Sequence, residues 1–161
     1  MYKKGQYIVY RHDVCLIKDI KENKVKKATY YVMSPLDDKS LTIDFPTEDK
    51  MNLLRNVIST NEAKELIKKI PEISPLEDVN EKNIETKYKE LLKTGNYEDL
   101  IKIIKTTYLR NEDRINNKKK ISEKDDNFFK LAEKYLYNEL SISLNMSVEE
   151  VKNYIFEVVN K

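Results

Sequence analysis

Residues 28–45 have the sequence ATYYVMSPLDDKSLTIDF, and this stretch decides the fold of the first part of the chain. Its two ends, Ala28–Met33 and Ser40–Phe45, are rich in β-branched and aromatic residues, and the turn formers of Ser34–Asp38 separate them, which predicts two short strands. Upstream, Tyr7–Tyr10 and Val14–Ile20 have the composition of two further strands. Because so few strands can cover an apolar face only by curling, the sequence predicts a small, twisted, barrel-like sheet.

After Pro46 the apolar residues recur at helical spacing as far as the C-terminus, and Tyr108 is among those expected in the core. Ser and Asn caps followed by acidic residues mark helix starts, and Gly95 suits a left-handed helix end. These signals predict five helices, at 59–70, from Asn80 or Asn83 to 93, from 96 to about 111 or beyond, at 122–144 and at 147–159. We therefore expect an α+β chain with a sheet domain at 1–57 and an all-helical bundle at 58–161, in which 58–80 is a short helix and linker.

The composition excludes several classes of protein. Cys15 is the one cysteine, so neither an intrachain disulfide nor a multi-cysteine zinc site can form, and a reducing cytoplasm fits. Gly5 and Gly95 are the two glycines, too few for a P-loop or a dinucleotide-binding fingerprint. No stretch has the pattern of a membrane span or a signal peptide. We expect a soluble cytoplasmic protein that is not an enzyme and that uses neither a metal nor a cofactor.

A hydrolase alternative would depend on His12, the one histidine, and on Cys15. Residues three apart on a strand point to opposite faces, and no third group is evident that could orient the histidine as a base. We expect Cys15 to fill the core of the sheet instead. The hydrolase alternative predicts a thiol that reacts in the folded state, and our expectation predicts a slow one.

A basic block lies in the middle of the helical half. Residues 82–120 carry 11 basic and 6 acidic groups, although the whole chain has a net charge of only +2. Its candidate DNA-binding cations are Lys87, Lys89, Lys102, Arg110, Arg114, Lys118, Lys119 and Lys120. Several of them at helical spacing would suit the phosphates of a duplex, but a solvent-exposed helix face has the same pattern. The charges alone leave both interpretations open.

Four motifs follow one another along the chain. Lys4-Gly5-Gln6-Tyr7-Ile8-Val9-Tyr10, followed by His12, opens it, and Ser40-Leu41-Thr42-Ile43-Asp44-Phe45-Pro46 closes the predicted sheet. The helical half has Tyr88-Lys89-x-Leu91-Leu92-Lys93-Thr94-Gly95-Asn96 and then Ile121-Ser122-x-x-Asp125 with Glu139-Leu140. In this order and spacing they resemble the CarD/CdnL/TRCF family of bacterial transcription regulators, over nearly the whole chain. The family's opening K-x-G-D-x-V-V-Y-P-x-H-G has a proline and a second glycine that this chain lacks.

The resemblance implies a Tudor/SH3-like β-barrel that binds the β subunit of RNA polymerase by edge-strand pairing. It also implies a helical domain that contacts promoter DNA, with little base specificity, near the upstream edge of the transcription bubble and stabilises the open complex. The residues that we expect to bind polymerase are Lys24, Val25, Lys26, Ile43 and Asp44. The residues that we expect to bind DNA are the candidate cations together with Tyr88 and Ile84. Ile84 lies near the position at which the family has a tryptophan that inserts into the minor groove.

One further alternative stays open for the helical domain. Having lost the tryptophan wedge, it could bind a second protein, which would make the chain a protein-only adaptor. We expect no membrane partner and a monomer, although exposed sheet edges could also pair two copies into a dimer.

Overall fold

The computed structural model describes residues 1–160 and consists of two units, residues 1–59 and residue 60 onward. The first unit contains strands and the second contains helices, as expected for an α+β chain. No helix within residues 1–160 is long and apolar enough to cross a membrane.

Five antiparallel strands form the first unit: β1 Tyr7–Tyr10, β2 Asp13–Asn23, β3 Ala28–Pro35, β4 Ile43–Pro46 and β5 Leu54–Asn56. They are hydrogen-bonded in the order β4-β3-β2-β1-β5, so β4 and β5 are the two edges of the sheet. The inner face buries Ile8, Cys15, Ile17, Tyr31, Met33 and Leu54. Tyr10 and Phe45 pack beside this core with their ring centroids 5.3 Å apart in an edge-to-face arrangement.

One expectation for this unit was wrong: we expected four strands, and the structure has five. We also expected a barrel-like sheet, and within residues 1–59 the edges β4 and β5 do not pair, so the sheet is open. The strand that we missed, β5, follows a loop fixed by Asp49, whose carboxylate accepts the N–H groups of Leu53 and Leu54 at 2.9 and 2.8 Å. These two bonds hold the chain beside β1, where three residues pair.

Residues 60–160 form five α-helices: α1 Thr60–Lys69, α2 Ile84–Thr94, α3 Tyr97–Asn116, α4 Glu123–Leu144 and α5 Val148–Val159. A 3₁₀ turn at Ile70–Glu72 follows α1. The longest helices, α3 and α4, pack against each other and carry most of the core, including Ile103, Leu136 and Leu140, and Val151 anchors α5.

The predicted helix ends are confirmed where a cap fixes them. The side chains of Asn96, Ser122 and Ser147 each accept a backbone N–H in the first turn of the helix that follows, and Ser147 forms a reciprocal capping box with Glu150. Gly95 ends α2 at φ 66°, a left-handed conformation that favours glycine.

Candidate functional site

The outer edge of β4 is the first surface for which the family resemblance implies a partner. The N–H of Thr47 donates to the carbonyl of Thr29 at 2.9 Å. Because bonded positions alternate along an antiparallel pair, the backbone groups of Asp44 and Pro46 face away from β3. Proline has no N–H, so β4 offers a partner one donor, at Asp44, and the carbonyls of both residues. The side chain of Asp44 is exposed, whereas Ile43 packs on the core.

The turn between β2 and β3 holds the other three residues predicted to bind polymerase. The Asn23 carboxamide oxygen accepts the N–H groups of Val25 and Lys26 at 3.1 Å each, which fixes the turn. Val25, which lies at the tip of this turn, is 94% exposed. Lys24 and Asp44 line one cleft of about 350 Å³, so the structure brings these two predicted residues to the same side of the sheet.

Ile84 and Tyr88 were predicted to contact DNA, and their burial contradicts this. Both side chains have no exposed surface. The Tyr88 hydroxyl donates to Asp125 Oδ1 at 2.7 Å, and its ring lies 4.9 Å from that of Phe128. Burial and the neighbouring Asp125 carboxylate raise the pKa of Tyr88 far above its usual value. Ile84 cannot enter a base step from this position, because it is part of the helical core.

Arg110 and Arg114 are held by carboxylates. Arg110 Nε donates to Asp125 Oδ2 at 3.0 Å, and Asp125 is only 1% exposed. The Nη2 atoms of both arginines lie 2.6 Å from Glu81 Oε1. The sequence placed Asp125 only at a helix start and did not single out Glu81. These two carboxylates compensate the two arginines, which therefore offer a phosphate little uncompensated charge.

The remaining cations differ in how much of their charge is available. Lys87 donates to the carbonyl of Asp78, and Lys89 pairs with Glu85 at 3.4 Å. Lys102 lies in a cleft that Glu72 and Glu98 also line.

The lysine run Lys118–Lys120 joins α3 to α4 and is the most available part of the basic block. Its three side chains are exposed, and none has an ion-pair partner within residues 1–160. The run follows directly on α3, where the N–H of Lys119 donates to the carbonyl of Arg114 at 2.8 Å. Any anion that the helical unit binds through this block would therefore meet these three lysines first.

An apolar groove that the sequence did not predict lies beside the lysine run. This α3/α4 groove has a volume of about 470 Å³ and is lined chiefly by Tyr108, Asn111, Glu112, Ile115, Ile121 and Phe129. We expected Tyr108 in the core, but its side chain is 55% exposed. The sequence did contain a signal for this groove: Ile115 and Ile121 are apolar residues that lie outside the predicted core pattern.

The residues of the hydrolase alternative lie in different environments. Cys15 is fully buried, and its Sγ donates to the carbonyl of Asp13 at 3.7 Å. Burial, with a smaller contribution from Asp13, raises the pKa of the Cys15 thiol to about 11. His12 lies in the turn between β1 and β2. Within residues 1–160, no three His, Cys, Asp or Glu residues are grouped as a metal site requires.

The comparisons with known proteins add no family. A scan against protein-family models and a search of curated proteins each find no match for this chain. The resemblance to the CarD/CdnL/TRCF family therefore depends on the sequence motifs alone.

Proposed function

We propose that this chain is a bacterial transcription regulator that binds the β subunit of RNA polymerase through β4. On this proposal the open five-stranded sheet is the Tudor-like domain of a CarD-like regulator, and a strand of the polymerase adds to its edge. The protein acts as an adaptor in the cytoplasm, where polymerase holds it on the nucleoid, and it catalyses no reaction.

The observation that carries the proposal is the outward backbone of β4. An edge strand with unpaired N–H and C=O groups is a ready template for another strand. Here the Asp44 N–H and the carbonyls of Asp44 and Pro46 supply that template, and each bond to a partner contributes about 0.5–1.5 kcal/mol. Lys24 and Asp44 line the adjoining cleft, where they can select the side chains of the added strand.

For the helical unit we propose contact with the promoter DNA backbone through the lysine run Lys118–Lys120. Three exposed lysines can neutralise about three phosphates, so the logarithm of the binding constant should fall with the logarithm of salt concentration at a slope of about −3. Such weak binding carries no base specificity, which suits a factor that polymerase brings to the promoter. Bound there, the helical unit would stabilise the open complex.

A second candidate for the helical unit is a protein partner. The compensated arginines Arg110 and Arg114 and the buried Ile84 remove much of the predicted DNA surface. The exposed α3/α4 groove provides an apolar surface of the kind that protein partners cover. In this case the chain bridges polymerase to another protein rather than to DNA.

The test of β4 is the affinity of the full chain for the purified lobe of a bacterial polymerase β subunit. Asp44→Pro removes the outward donor and sets a ring where the partner strand would lie, so we expect binding to weaken by about tenfold or more. Asp44→Ala is the matched control, because it removes the carboxylate but keeps the N–H. The proposal is overturned if the wild-type chain does not bind the lobe, or if Asp44→Pro binds as well as Asp44→Ala does.

A further inference from the structure

The α3/α4 groove presents an apolar stripe at helical spacing. Tyr108 and Ile115 lie two turns apart on α3, and their side chains are 55% and 60% exposed. Ile121 and Phe129 form the opposite wall, and Ile121 is 46% exposed. Large apolar side chains grouped in this way mark interaction sites on protein surfaces. Two helical turns extend over about 11 Å, the length of a short helix segment laid along the groove.

Backbone and amide hydrogen bonds fix the shape of the groove. Ser122 N–H donates to the Asn111 carboxamide oxygen at 2.8 Å, and the Asn111 amide donates back to the Ser122 carbonyl at 3.4 Å. The N–H groups of Lys118 and Lys119 donate to carbonyls in the last turn of α3. The wall that carries Ile121 is therefore ordered before a partner arrives, which lowers the entropy lost on binding.

The charges along the groove are uneven. The lysine run Lys118–Lys120 lies between Asn116 and Ile121, which both line the groove, and its three side chains are exposed at that end. None of the three lines the groove itself, and Lys119 lines a separate cleft with Glu81. Of the two carboxylates in the groove, Asp126 pairs with Lys130 at 2.9 Å, and Glu112 lies on α3 between Tyr108 and Ile115. A partner that complements this pattern is apolar along its centre and acidic at the end that lies near Ile121.

We infer that the α3/α4 groove binds an amphipathic helix of a second protein, with Asp or Glu residues at the end that meets the lysine run. Apolar residues at i, i+4 and i+7 of that helix fill the space between the Tyr108–Ile115 stripe and Phe129. The inference deepens the protein-partner candidate for the helical unit. It does not depend on β4, because the groove lies wholly within the helical unit.

The test is a displayed library of helical peptides of about four turns, panned against the full-length protein. Leu, Ile or Phe occupies i, i+4 and i+7, and the flanking positions at each end vary between Glu and Lys. Ile115→Glu serves for counterselection, since it places a charge in the centre of the groove. We expect the enriched peptides to be acidic at one end and to bind wild type about tenfold more tightly than Ile115→Glu.

Two further variants assign that binding to the groove and to the lysines. Replacing Lys118, Lys119 and Lys120 together by Gln should weaken the selected peptides by about tenfold, because each exposed ion pair contributes modestly. Leu109→Glu is the matched control: Leu109 is 51% exposed on the same helix but does not line the groove. This variant should bind as wild type does.

Four results would overturn the inference. The first is a selection that yields no peptide able to distinguish wild type from Ile115→Glu. The second is enrichment of peptides with Lys-rich ends. The third is an equal loss of binding in Leu109→Glu and Ile115→Glu. The fourth is a short DNA duplex that binds through Lys118–Lys120 while no peptide does, which would assign these lysines to DNA. Asp44→Pro should bind the peptides normally, so failure of the groove is distinguishable from failure of the polymerase proposal.

Discussion

Arg110→Met tests whether Arg110 stabilises the fold or binds an anionic partner. In the fold, Arg110 Nε lies 3.0 Å from Asp125 Oδ2, and the substitution leaves this buried carboxylate with only the Tyr88 hydroxyl. Removing one partner of a buried ion pair costs about 3–5 kcal/mol. Arg110 is itself 20% exposed and Tyr88 remains bonded, so we expect a loss of about 2–3 kcal/mol in the free energy of unfolding.

The assay is urea and thermal unfolding of the full chain followed by far-ultraviolet circular dichroism, which reports mainly on the helical unit. For a unit of this size the expected loss lowers Tm by about 10–20 °C. Lys119→Met is the control, because Lys119 is exposed and should change stability by no more than about 0.5 kcal/mol. Anion binding, measured with a short DNA duplex at low salt below the transition, should show the reverse pattern, with the loss in Lys119→Met.

Our account of Arg110 is wrong if Arg110→Met unfolds at the same urea concentration as wild type. It is equally wrong if the folded variant loses duplex binding that Lys119→Met retains. Either result would return Arg110 to the binding surface and would mean that the pair with Asp125 is not maintained in solution.

Three other substitutions or conditions have clear expected outcomes. The Cys15 thiol, with its pKa raised to about 11, should react with a disulfide reagent near pH 8 far more slowly in the folded chain than in denaturant. Rapid labelling of Cys15 in the folded chain would support the hydrolase alternative instead. Because the pKa of Cys15 is raised on folding, its contribution to the free energy of unfolding is complete below about pH 9 and is lost as the pH rises towards 11, which unfolding at a series of pH values can measure. Gly95→Ala should lower stability by about 1 kcal/mol because φ is positive there, and an unchanged urea midpoint would contradict that reason. Lys105→Met should cost about 1–3 kcal/mol, since Lys105 donates to the carbonyls of Ile70 and Ile73; differential calorimetry that finds no change would mean that water replaces those bonds.

The elements that the sequence predicts well are those fixed by local chemistry. Asn96, Ser122 and Ser147 cap helices because their side chains reach N–H groups two or three residues ahead, and Gly95 ends a helix because of its own backbone. Such contacts span few residues, so the order of residue types alone is enough to locate them.

Strand β5 was missed for the opposite reason. Leu54–Asn56 is too short to have a strand pattern of its own, and it becomes a strand because Asp49 positions it against β1, more than forty residues upstream. Tyr108 was misplaced because a helical period identifies an apolar stripe but not which part of it a neighbouring helix covers.

The candidate site could be predicted only as a set of cations. Whether a given arginine is available depends on its partners, and Glu81 reaches Arg110 across 29 residues of sequence. Asp125 looked like a helix N-terminal acid and turns out to bind both Tyr88 and Arg110. Counting charges along the chain cannot detect this compensation. The lysine run is exposed in the loop between α3 and α4, and its role in DNA binding stays a prediction.

Residue-resolved amide hydrogen exchange at Asp44 is the most direct test that β4 receives a strand from polymerase. Within Ile43–Pro46 this amide is the one N–H that faces outward, so it exchanges freely in the isolated chain. On addition of the polymerase β lobe we predict that its exchange slows by at least about tenfold while amides on β5 stay unchanged. An Asp44 amide that exchanges at the same rate in the bound and free protein would contradict strand addition at this edge.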